Sequence, residues 1–343
     1  MNTKERFFII GGMGYIGSVF AREALRRGHD VCIYDSLIYE QKRERILHEI
    51  KEFHQNSAEL QFIIGDTRNT ALLESSLRDF QPTYVMHWGE LSSVYACDHY
   101  PAYTEDINYN GSRNVIDICE KLNLKVFWNS SSSVYGVMKE MKCMTEADEL
   151  PTPTDNYCKY KLQMESYIKE KVKRNPDFHI IIFRPATVFG ISPRFRIELM
   201  PNHFTYLAVA RWLIRVSELN AYRAVMDVEE LVQGYFKVID RGSWQRLIYN
   251  IGHFNMSKMQ LALGVQNVVR CKIGPAPDFG DIRNLQIDCS LFDNEFDFHP
   301  TMTYEESIAR VADWIEKNYV ALEKSNFVEL LNMPLDRWHK ICS

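Results

Sequence analysis

The sequence lacks any pair of cysteines at the spacing of a metal site or a redox motif. Its eight cysteines are scattered along the chain, and no CxxC pair is present. Scattered cysteines of this kind are typical of reduced thiols in a cytosolic protein, so we expect no disulfide and no bound metal. The eight residues are Cys32, Cys97, Cys119, Cys143, Cys158, Cys271, Cys289 and Cys342.

Long hydrophobic runs and blocks of positive charge are also absent. No stretch approaches the ~18 consecutive apolar residues of a membrane span, and the opening "MNTKERFFII" lacks the apolar core of a signal peptide. The net charge of −5 is spread along the chain, so neither nucleic acid nor a membrane is an expected partner. We therefore expect a soluble, cytoplasmic protein that holds any phosphorylated ligand through local groups.

What the chain does contain is an alternation of short apolar strands with longer helical patterns. Its 343 residues, 46% of them hydrophobic, suffice for one large α/β domain with a smaller lobe. Strands that are apolar on both faces and separated by helices predict a doubly wound parallel sheet covered by helices on both sides. The predicted strands are residues 6–10, 30–35, 60–66, 84–89, 125–130 and 178–185, with an exposed helical excursion over 36–59.

The alternation weakens after about residue 186. A mixed second half of this kind suits a smaller mixed α/β substrate lobe, packed over the carboxyl edge of the sheet, where open α/β sheets bind ligands. The predicted elements are helices over 203–219 and 226–240, a strand over 247–252, a short helix near 257–265, a strand over 268–273, a helix over 303–318 and one more helix after 320.

A glycine-rich turn follows the first predicted strand in "IIGGMGYIGS". Gly11, Gly14 and Gly17 have the spacing G-x-x-G-x-x-G, which lets a backbone approach a pyrophosphate at a helix N-terminus. Asp35 ends the second strand, where a carboxylate accepts hydrogen bonds from the adenosine ribose and repels a 2′-phosphate. The pair favours NAD over NADP, although Asp35 alone would be read as a loop or helix-cap carboxylate. Asp66 is a candidate adenine contact.

A tyrosine and a lysine stand four residues apart in "NYCKYK". On a helix, Tyr157 and Lys161 share one face. A phenol with a pKa of about 10 is a poor base at neutral pH until a nearby cation stabilises its anion. The pair therefore predicts proton transfer, provided that it lies beside a bound nicotinamide.

Four consecutive serines close the fifth strand in "KVFWNSSSSVYG", residues 125–136. Taken alone, such a run is a solvated loop. Its position, about twenty-five residues before Tyr157, raises the question of which serine takes part in chemistry.

These motifs together resemble one known family. "GGMGYIG", "GD" at 65–66, "NYNGSRNVIDIC", "SSSSVYG", "NYCKYK" and "RPATVFG" have the order and spacing of the extended short-chain dehydrogenase/reductases, the NAD-dependent nucleotide-sugar epimerases and dehydratases. The resemblance covers roughly residues 1–318. It implies a Rossmann domain with tightly held NAD, a C-terminal lobe for a nucleotide sugar, and frequently a homodimer joined through a four-helix bundle, here with helices near 106–122 and 157–173.

The resemblance also implies a division of the chain and a set of roles. The NAD-binding domain would span 1–185 plus about 224–252, and the nucleotide-sugar lobe 186–223 and 253–343. Ser131 would hydrogen-bond the sugar hydroxyl, Tyr157 would remove its proton, and Lys161 would bind the nicotinamide ribose and keep Tyr157 acidic. Cofactor contacts would be Gly11, Gly14, Tyr15, Ile16, Gly17, Asp35, Asp66, Thr67, Trp88, Gly89, Glu90, Asn108, Ser130, Tyr157, Lys161, Arg184, Ala186 and Val188. Substrate contacts would be Ser92, Ser131, Ser132, Ser133, Thr187, Arg194, Arg196, Asn202, Arg223 and Arg283.

Two positions in the serine run bear on the reaction. Dehydratases and decarboxylases of the family carry an acid there, whereas this chain has Ser132 and Ser133, which are not general acids or bases at ordinary pKa values. The triplet resembles that of the C4 epimerases. Residues 186–206 instead resemble bacterial GDP-heptose C4 dehydrogenases, which release a 4-keto sugar, and a non-catalytic NAD-sensing protein is the remote alternative.

The chain also departs from the family pattern. Trp88, Gly89 and Glu90 replace a usual small pair, and Glu90 either contacts substrate or caps a turn. Asp278 stands where typical epimerases carry an arginine, so Arg283 is expected to take over diphosphate binding, with Arg223 as a further phosphate contact and Asp227 beginning the next helix. Arg194 and Arg196 face either the nucleotide or solvent.

Overall fold

A seven-stranded parallel sheet forms the centre of the molecule. The computed structural model describes residues 4–38, 43–52, 58–137, 142–276 and 283–324, with side chains up to 319. The strands are β1 (Arg6–Ile10), β2 (Asp30–Asp35), β3 (Leu60–Ile64), β4 (Tyr84–His87), β5 (Lys125–Asn129), β6 (Cys143–Met144), β7 (Ile180–Pro185), β8 (Thr187–Phe189), β9 (Leu213–Val216), β10 (Tyr222–Asp227), β11 (Ile248–Ile251), β12 (Phe254–Ser257), β13 (Lys272–Pro275) and β14 (Gln286–Ile287).

Helices cover both faces of this sheet and alternate with short strands in the second half of the chain. The α-helices are α1 (Tyr15–Arg26), α2 (Arg43–Lys51), α3 (Thr70–Phe80), α4 (Val94–His99), α5 (Pro101–Thr104), α6 (Ser112–Lys121), α7 (Asn156–Arg174), α8 (Met200–Arg211), α9 (Val228–Arg241), α10 (Lys258–Val268), α11 (Ser290–Phe296) and α12 (Tyr304–Lys324). A π-helical segment, Glu105–Gly111, leads into α6, and a 3₁₀ turn, Ser132–Tyr135, follows β5.

The strand order is β11-β7-β5-β4-β1-β2-β3. Each neighbouring pair is parallel, and β1 lies between β2 and β4. The order reverses at β1, which makes this a doubly wound sheet with a ligand crevice at the carboxyl ends of β1 and β4. The predicted fold class, a Rossmann sheet with a smaller mixed lobe, is confirmed.

The two faces of the sheet are packed into separate cores. Along β1, Phe7 and Ile9 contribute to one hydrophobic cluster, whereas Phe8 and Ile10 contribute to another. Successive side chains of a strand point to opposite faces, so a strand buried on both sides needs an unbroken apolar run. This burial explains why the strands lack polar alternation.

The smaller lobe has its own short sheets. One has the order β12-β10-β8 and another joins β13 to β9. The predicted helix over 203–219 is wrong in its second half, because Trp212 takes a left-handed conformation (φ 57°) that ends α8 before β9 begins. The strand predicted over 268–273 begins later, at Lys272, because α10 continues to Val268.

The chain returns to the large sheet after its first excursion into the lobe. β10 belongs to the small sheet, α9 contacts α1, and β11 completes the edge of the large sheet beside β7. The division of the chain into one domain over 1–185 plus about 224–252 and a lobe over 186–223 and 253–343 stays a prediction. Within the described ranges, no helix is both long enough and apolar enough to cross a bilayer.

Candidate active site

The glycine-rich turn between β1 and α1 brings backbone close to backbone. Gly11 has φ +79°, and a Cβ on it would lie 2.6 Å from the nitrogen of Gly89. A Cβ on Gly17 would lie 2.3 Å from the carbonyl oxygen of Gly11. Only glycine fits at these two positions, and the turn leaves the N-terminus of α1 open to an anionic group such as a pyrophosphate.

Asp35 lies buried at the carboxyl end of β2, beside this turn. Its two oxygens accept hydrogen bonds from the backbone N–H groups of Met13 (2.9 Å) and Leu37 (2.8 Å). Burial raises the pKa of the carboxyl, against the opposing effect of these bonds and of Arg194. Asp35 thus supports the glycine turn. It also lines a small cavity at the carboxyl edge of the sheet, which adjoins a larger one described below.

Asp66 follows β3 and lines the same smaller cavity. Arg68 hydrogen-bonds both of its oxygens, at 2.8 and 2.9 Å, and this lowers the pKa of the carboxyl. Asp66 is therefore an ionised acceptor at ordinary pH, as an adenine or ribose contact requires.

The loop after β4 is fixed by a buried asparagine. The side chain of Asn108 accepts a hydrogen bond from the N–H of Leu91 (2.8 Å) and donates one to its carbonyl (2.9 Å). Asn108 lines neither cavity formed by the described residues. Its place in the structure is that of a brace for residues 88–92, rather than the cofactor contact expected from the sequence.

The serine run turns away from β5 as a 3₁₀ turn. Ser131 caps this turn, accepting a hydrogen bond from the N–H of Ser133 (3.1 Å). Ser130 donates to the buried carboxylate of Glu165 (2.6 Å), and Ser132 is buried. Ser130, Ser131 and Ser133 line the larger cavity, so the run is not a solvated loop.

Tyr157 and Lys161 share one face of α7, as predicted. Asp155 caps this helix, accepting a hydrogen bond from the N–H of Cys158 (2.7 Å), and so fixes Tyr157 in the first turn. The Lys161 ammonium lies 5.7 Å from the centre of the Tyr157 ring. Burial raises the pKa of the Tyr157 phenol, while a hydrogen bond with Ser131 acts in the opposite direction. The structure thus brings together the three residues expected to be catalytic.

Glu90 lies within the loop between β4 and α4, and its side chain is buried. One carboxylate oxygen accepts hydrogen bonds from Ser112 and from the indole of Trp128, both at 2.7 Å, and the other forms an ion pair with Lys161. Burial is the largest single influence on the pKa of Glu90 and raises it, but the charges of Lys161 and His87 and the hydrogen bonds from Lys161 and Ser112 together lower the pKa. Glu90 is an ionised partner of the lysine and has no turn-capping role.

Arg184 lines neither of the two cavities at this edge of the sheet. Its guanidinium makes two hydrogen bonds to Glu165, at 2.6 and 2.9 Å, and a third to the Tyr135 hydroxyl at 2.9 Å. The side chains of Arg184 and Glu165 are each 1% exposed. Arg184 was expected to contact the cofactor; in the structure it fixes β7 to α7 and to the serine turn.

The lobe contributes cationic side chains to the opposite wall. Arg196 donates to Glu198 (2.7 Å) and to Ser92 (3.0 Å) across the cleft. Arg223 hydrogen-bonds the carbonyl oxygens of Tyr222 and Arg283. These arginines therefore line a buried cleft and are not surface residues. Asp278 lies outside the described residues.

Asn202 braces the lobe instead of lining a cavity. Its amide donates to the carbonyl of Arg196 (2.9 Å) and to the hydroxyl of Tyr15 (3.2 Å), and its oxygen accepts the N–H of Gly190 (3.0 Å). Ser132 likewise stays out of both cavities within the part of the chain described.

The remaining predicted residues converge on two adjoining cavities at the carboxyl edge of the large sheet. The larger, about 370 Å³, has the size of a small-ligand site. Predicted residues that line it are Gly11, Gly14, Tyr15, Ile16, Gly17, Trp88, Glu90, Ser92, Ser130, Ser131, Ser133, Tyr157, Lys161, Ala186, Thr187, Val188, Arg194, Arg196, Arg223 and Arg283. Those that line the smaller are Gly11, Gly14, Asp35, Asp66, Thr67, Trp88, Gly89 and Glu90.

Other lining residues have no role assigned from the sequence. Ser36 and Gly65 directly follow β2 and β3, and Asn129 and Pro185 end β5 and β7, so the position of ligands at the carboxyl ends of strands could have found these four. Those from the lobe carry no such signal. The additional residues include Ser36, Gly65, Leu91, Ser93, Val94, Tyr95, Asn129, Pro185, Glu198, His203, Arg215 and Lys258.

A doubly wound sheet with a glycine turn, a strand-end aspartate and a serine–tyrosine–lysine group defines a dinucleotide-dependent enzyme of the short-chain dehydrogenase/reductase type. The sequence profile of the NAD dependent epimerase/dehydratase family matches residues 7–252. The chain belongs to this family and uses NAD.

Similar proteins extend along nearly the whole chain. UDP-glucose 4-epimerase of Pasteurella multocida (strain Pm70) is 26% identical over 336 residues, covering 90% of this chain and 97% of the relative. The crystal structure of UDP-glucose 4-epimerase from Bifidobacterium longum, in complex with NAD+ and UDP, superposes with a TM-score of 0.79 at 22% identity, covering 92% and 99% of the two chains.

A structure of a different activity is equally similar in fold. The dTDP-glucose 4,6-dehydratase of Bacillus anthracis str. Ames, in complex with NAD, has a TM-score of 0.78 at 21% identity, covering 94% and 99% of the chains. Similarity of this degree shows the shared fold, so the choice between reactions depends on the residues in the cleft.

Proposed function

We propose that the protein is an NAD-dependent nucleotide-sugar 4-epimerase. The observation that carries this proposal is the contact of Ser131 with Tyr157, with Lys161 one helical turn further along, at the boundary of a cavity walled by arginines. The UDP-glucose 4-epimerases similar to this chain support it, and for three of them the match covers 97% of the relative's length.

The residues present fit both ligands. The glycine turn and the start of α1 would hold the pyrophosphate of NAD, with Asp35 at the adenosine ribose. Arg194, Arg196 and Arg223 supply the guanidinium groups that suit the diphosphate of a nucleotide sugar. Both ends of the cleft therefore have donors of the required charge.

In the proposed reaction, Tyr157 accepts the proton of the sugar C4 hydroxyl, which Ser131 orients by a hydrogen bond. NAD, held by the glycine turn and Asp35, would supply the acceptor for the C4 hydrogen as hydride and the donor that returns it to the opposite face of the 4-keto sugar. Tyr157 then gives its proton back to the oxygen, so no net oxidation occurs and atoms and charge balance.

The serine turn favours epimerisation over dehydration. Elimination of water from a keto sugar requires an acid or base beside it, and the positions that carry one in dehydratases are Ser132 and Ser133 here. Of these two serines, only Ser133 lines the larger cavity. The alternative product is the 4-keto sugar itself, released by a C4 dehydrogenase.

A substrate panel tests the proposal. The purified enzyme with its bound cofactor is incubated with UDP-, GDP-, CDP- and dTDP-sugars, including heptoses, and followed by reduced-nicotinamide absorbance and product NMR. We expect a new C4 diastereomer without lasting cofactor reduction. A keto sugar with the cofactor left reduced would replace epimerase by dehydrogenase, and no reaction with any sugar would favour a non-catalytic protein.

Substitution of the base tests the assignment of Tyr157. Tyr157→Phe removes only the hydroxyl, so NAD should still bind while turnover falls by about 10²–10⁴-fold, the usual contribution of a positioned base. Cofactor content is measured by absorbance after denaturation, and turnover by NMR. Full activity in the variant would remove Tyr157 from the mechanism.

We also propose that the protein is a cytoplasmic homodimer. Support comes from the free thiols of all cysteines in the described part of the chain and from α6 and α7, which pack side by side where the family resemblance places the four-helix bundle. Sedimentation equilibrium of the full chain measures the assembly.

A further inference from the structure

One buried carboxylate in the cleft has no part in the reaction described above. The Glu90 side chain is 4% exposed, and its oxygens accept hydrogen bonds from Ser112, Trp128 and Lys161. These protein groups already hold both carboxylate oxygens, although the side chain borders the larger cavity. Glu90 is therefore built into the site as the partner of Lys161.

The charges around Glu90 come from several elements. Lys161, on α7, is its ion-pair partner, and its ammonium is also held by the carbonyl of Asn129. His87, on β4, hydrogen-bonds Ser112 (2.9 Å), and burial lowers its pKa to about 4, so it is neutral at pH 7. The thiol of Cys97, on α4, has its pKa raised to about 12 by burial and is neutral too. Glu90 supplies negative charge in this part of the site, and this charge offsets the positive charge of Lys161.

The position of Glu90 follows from the two cavities. It lines both the smaller cavity, which Asp35 and Asp66 border, and the larger one, which Ser131 and Tyr157 border. A dinucleotide with its adenosine at Asp35 and its reactive ring beside Tyr157 would pass this junction. The Glu90–Lys161 pair would then hold the nicotinamide end of the cofactor.

We propose that Glu90 is a positioning residue that fixes the Lys161 ammonium and biases the bound cofactor towards its oxidised form. The oxidised nicotinamide ring is a cation, whereas the reduced ring is neutral. A fixed carboxylate in a buried site stabilises the cationic ring more than the neutral one, and it compensates the repulsion by Lys161. The equilibrium between the two oxidation states is thereby shifted against reduction.

This bias has a consequence for turnover, which rests on the proposed function. An epimerase must return the hydride before the 4-keto sugar escapes. A cofactor that is less stable when reduced returns the hydride more readily, so Glu90 favours the diastereomer over a released ketone.

The test is a redox titration of the holoenzyme with mediators, in the absence of sugar, followed by reduced-nicotinamide absorbance. Glu90→Gln and Glu90→Ala both remove the charge, and the alanine also restores the small residue usual in the family. Both should shift the equilibrium about tenfold towards the reduced cofactor, which is a rise of about 30 mV for a two-electron couple. The two variants together keep the test informative if one of them fails to fold.

Asp66→Asn is the matched control. It removes a negative charge from the adenosine end of the cleft, which is chemically identical in both oxidation states. Its affinity for oxidised and reduced cofactor should fall equally, with the potential unchanged. The proposal would be overturned if the ratio of reduced to oxidised cofactor in both Glu90 variants stayed within twofold of the wild-type ratio. It would also be overturned if Asp66→Asn raised this ratio as much as the Glu90 variants do. Because no sugar is present, neither result depends on the outcome of the substrate panel.

Discussion

Glu165→Ala should destabilise the protein strongly, although the change lies outside both cavities. The carboxylate accepts two hydrogen bonds from Arg184 and one from Ser130, between 2.6 and 2.9 Å, and both charged side chains are 1% exposed. Removing it leaves the Arg184 guanidinium buried with its charge uncompensated. The remaining hydrogen bond of Arg184, to Tyr135, does not supply a negative charge.

The magnitude follows from the burial of this pair. Breaking a buried ion pair by removing one partner costs about 3–5 kcal/mol, and we expect a loss of this size in the free energy of unfolding. Glu165 also has a second cation nearby, because Lys169 lies 3.8 Å away with its side chain 48% exposed. A solvent-exposed pair is worth no more than about 1 kcal/mol, so Lys169→Ala serves as the matched control.

Urea unfolding of the holoenzyme, followed by tryptophan fluorescence, measures both variants. A loss below about 1 kcal/mol in Glu165→Ala, or a loss in Lys169→Ala as large as that in Glu165→Ala, would refute the reasoning that burial sets the strength of this contact.

Two further substitutions probe buried aspartates. Asp35→Asn should weaken NAD binding by roughly tenfold or more, since a hydrogen bond to a charged acceptor is worth about 1.5–3 kcal/mol. It should also reduce the discrimination against NADP. Calorimetry with both cofactors measures the two affinities, and an unchanged preference for NAD would contradict the prediction. Asp227, on β10, has its pKa raised by burial to about 6. The stability that comes from burying Asp227 in its protonated form is complete below pH 4 and is lost as pH rises through 6. Asp227→Asn should therefore be more stable to unfolding than the wild type by about 2 kcal/mol at pH 7 and equal to it at pH 4. Parallel curves of unfolding free energy against pH for the two proteins would exclude the effect.

The central sheet was predictable because most of its strands are buried on both faces, although the edge strand β3 is only half-buried. Each of the first five strands is an apolar run bounded by turn residues, and the helices between them have helical periodicity. The lobe was less predictable. The sequence of β9, "LIRV", continues the apolar pattern of α8. The helix ends before it because Trp212 takes a left-handed conformation, and the sequence has no glycine there to indicate this.

The catalytic group was predictable in part. Tyr157 and Lys161 are four residues apart on one helix, so local geometry places them on one face. Glu90 and Lys161 are 71 positions apart, and their contact depends on the packing of the β4 loop against α7. Arg184 is a cofactor contact in the set implied by the family resemblance, but in the structure its guanidinium is bound by Glu165, 19 positions earlier in the chain.

The place of β11 at the edge of the large sheet bears on how the protein is made. β11 pairs with β7 through Ile248 and Ile182, with the first part of the lobe between them in sequence. During synthesis, β7 therefore emerges from the ribosome well before the strand that will cover it. An uncovered strand edge is a template for pairing with other chains. The nascent chain therefore exposes this edge of β7 until residue 251 has left the exit tunnel.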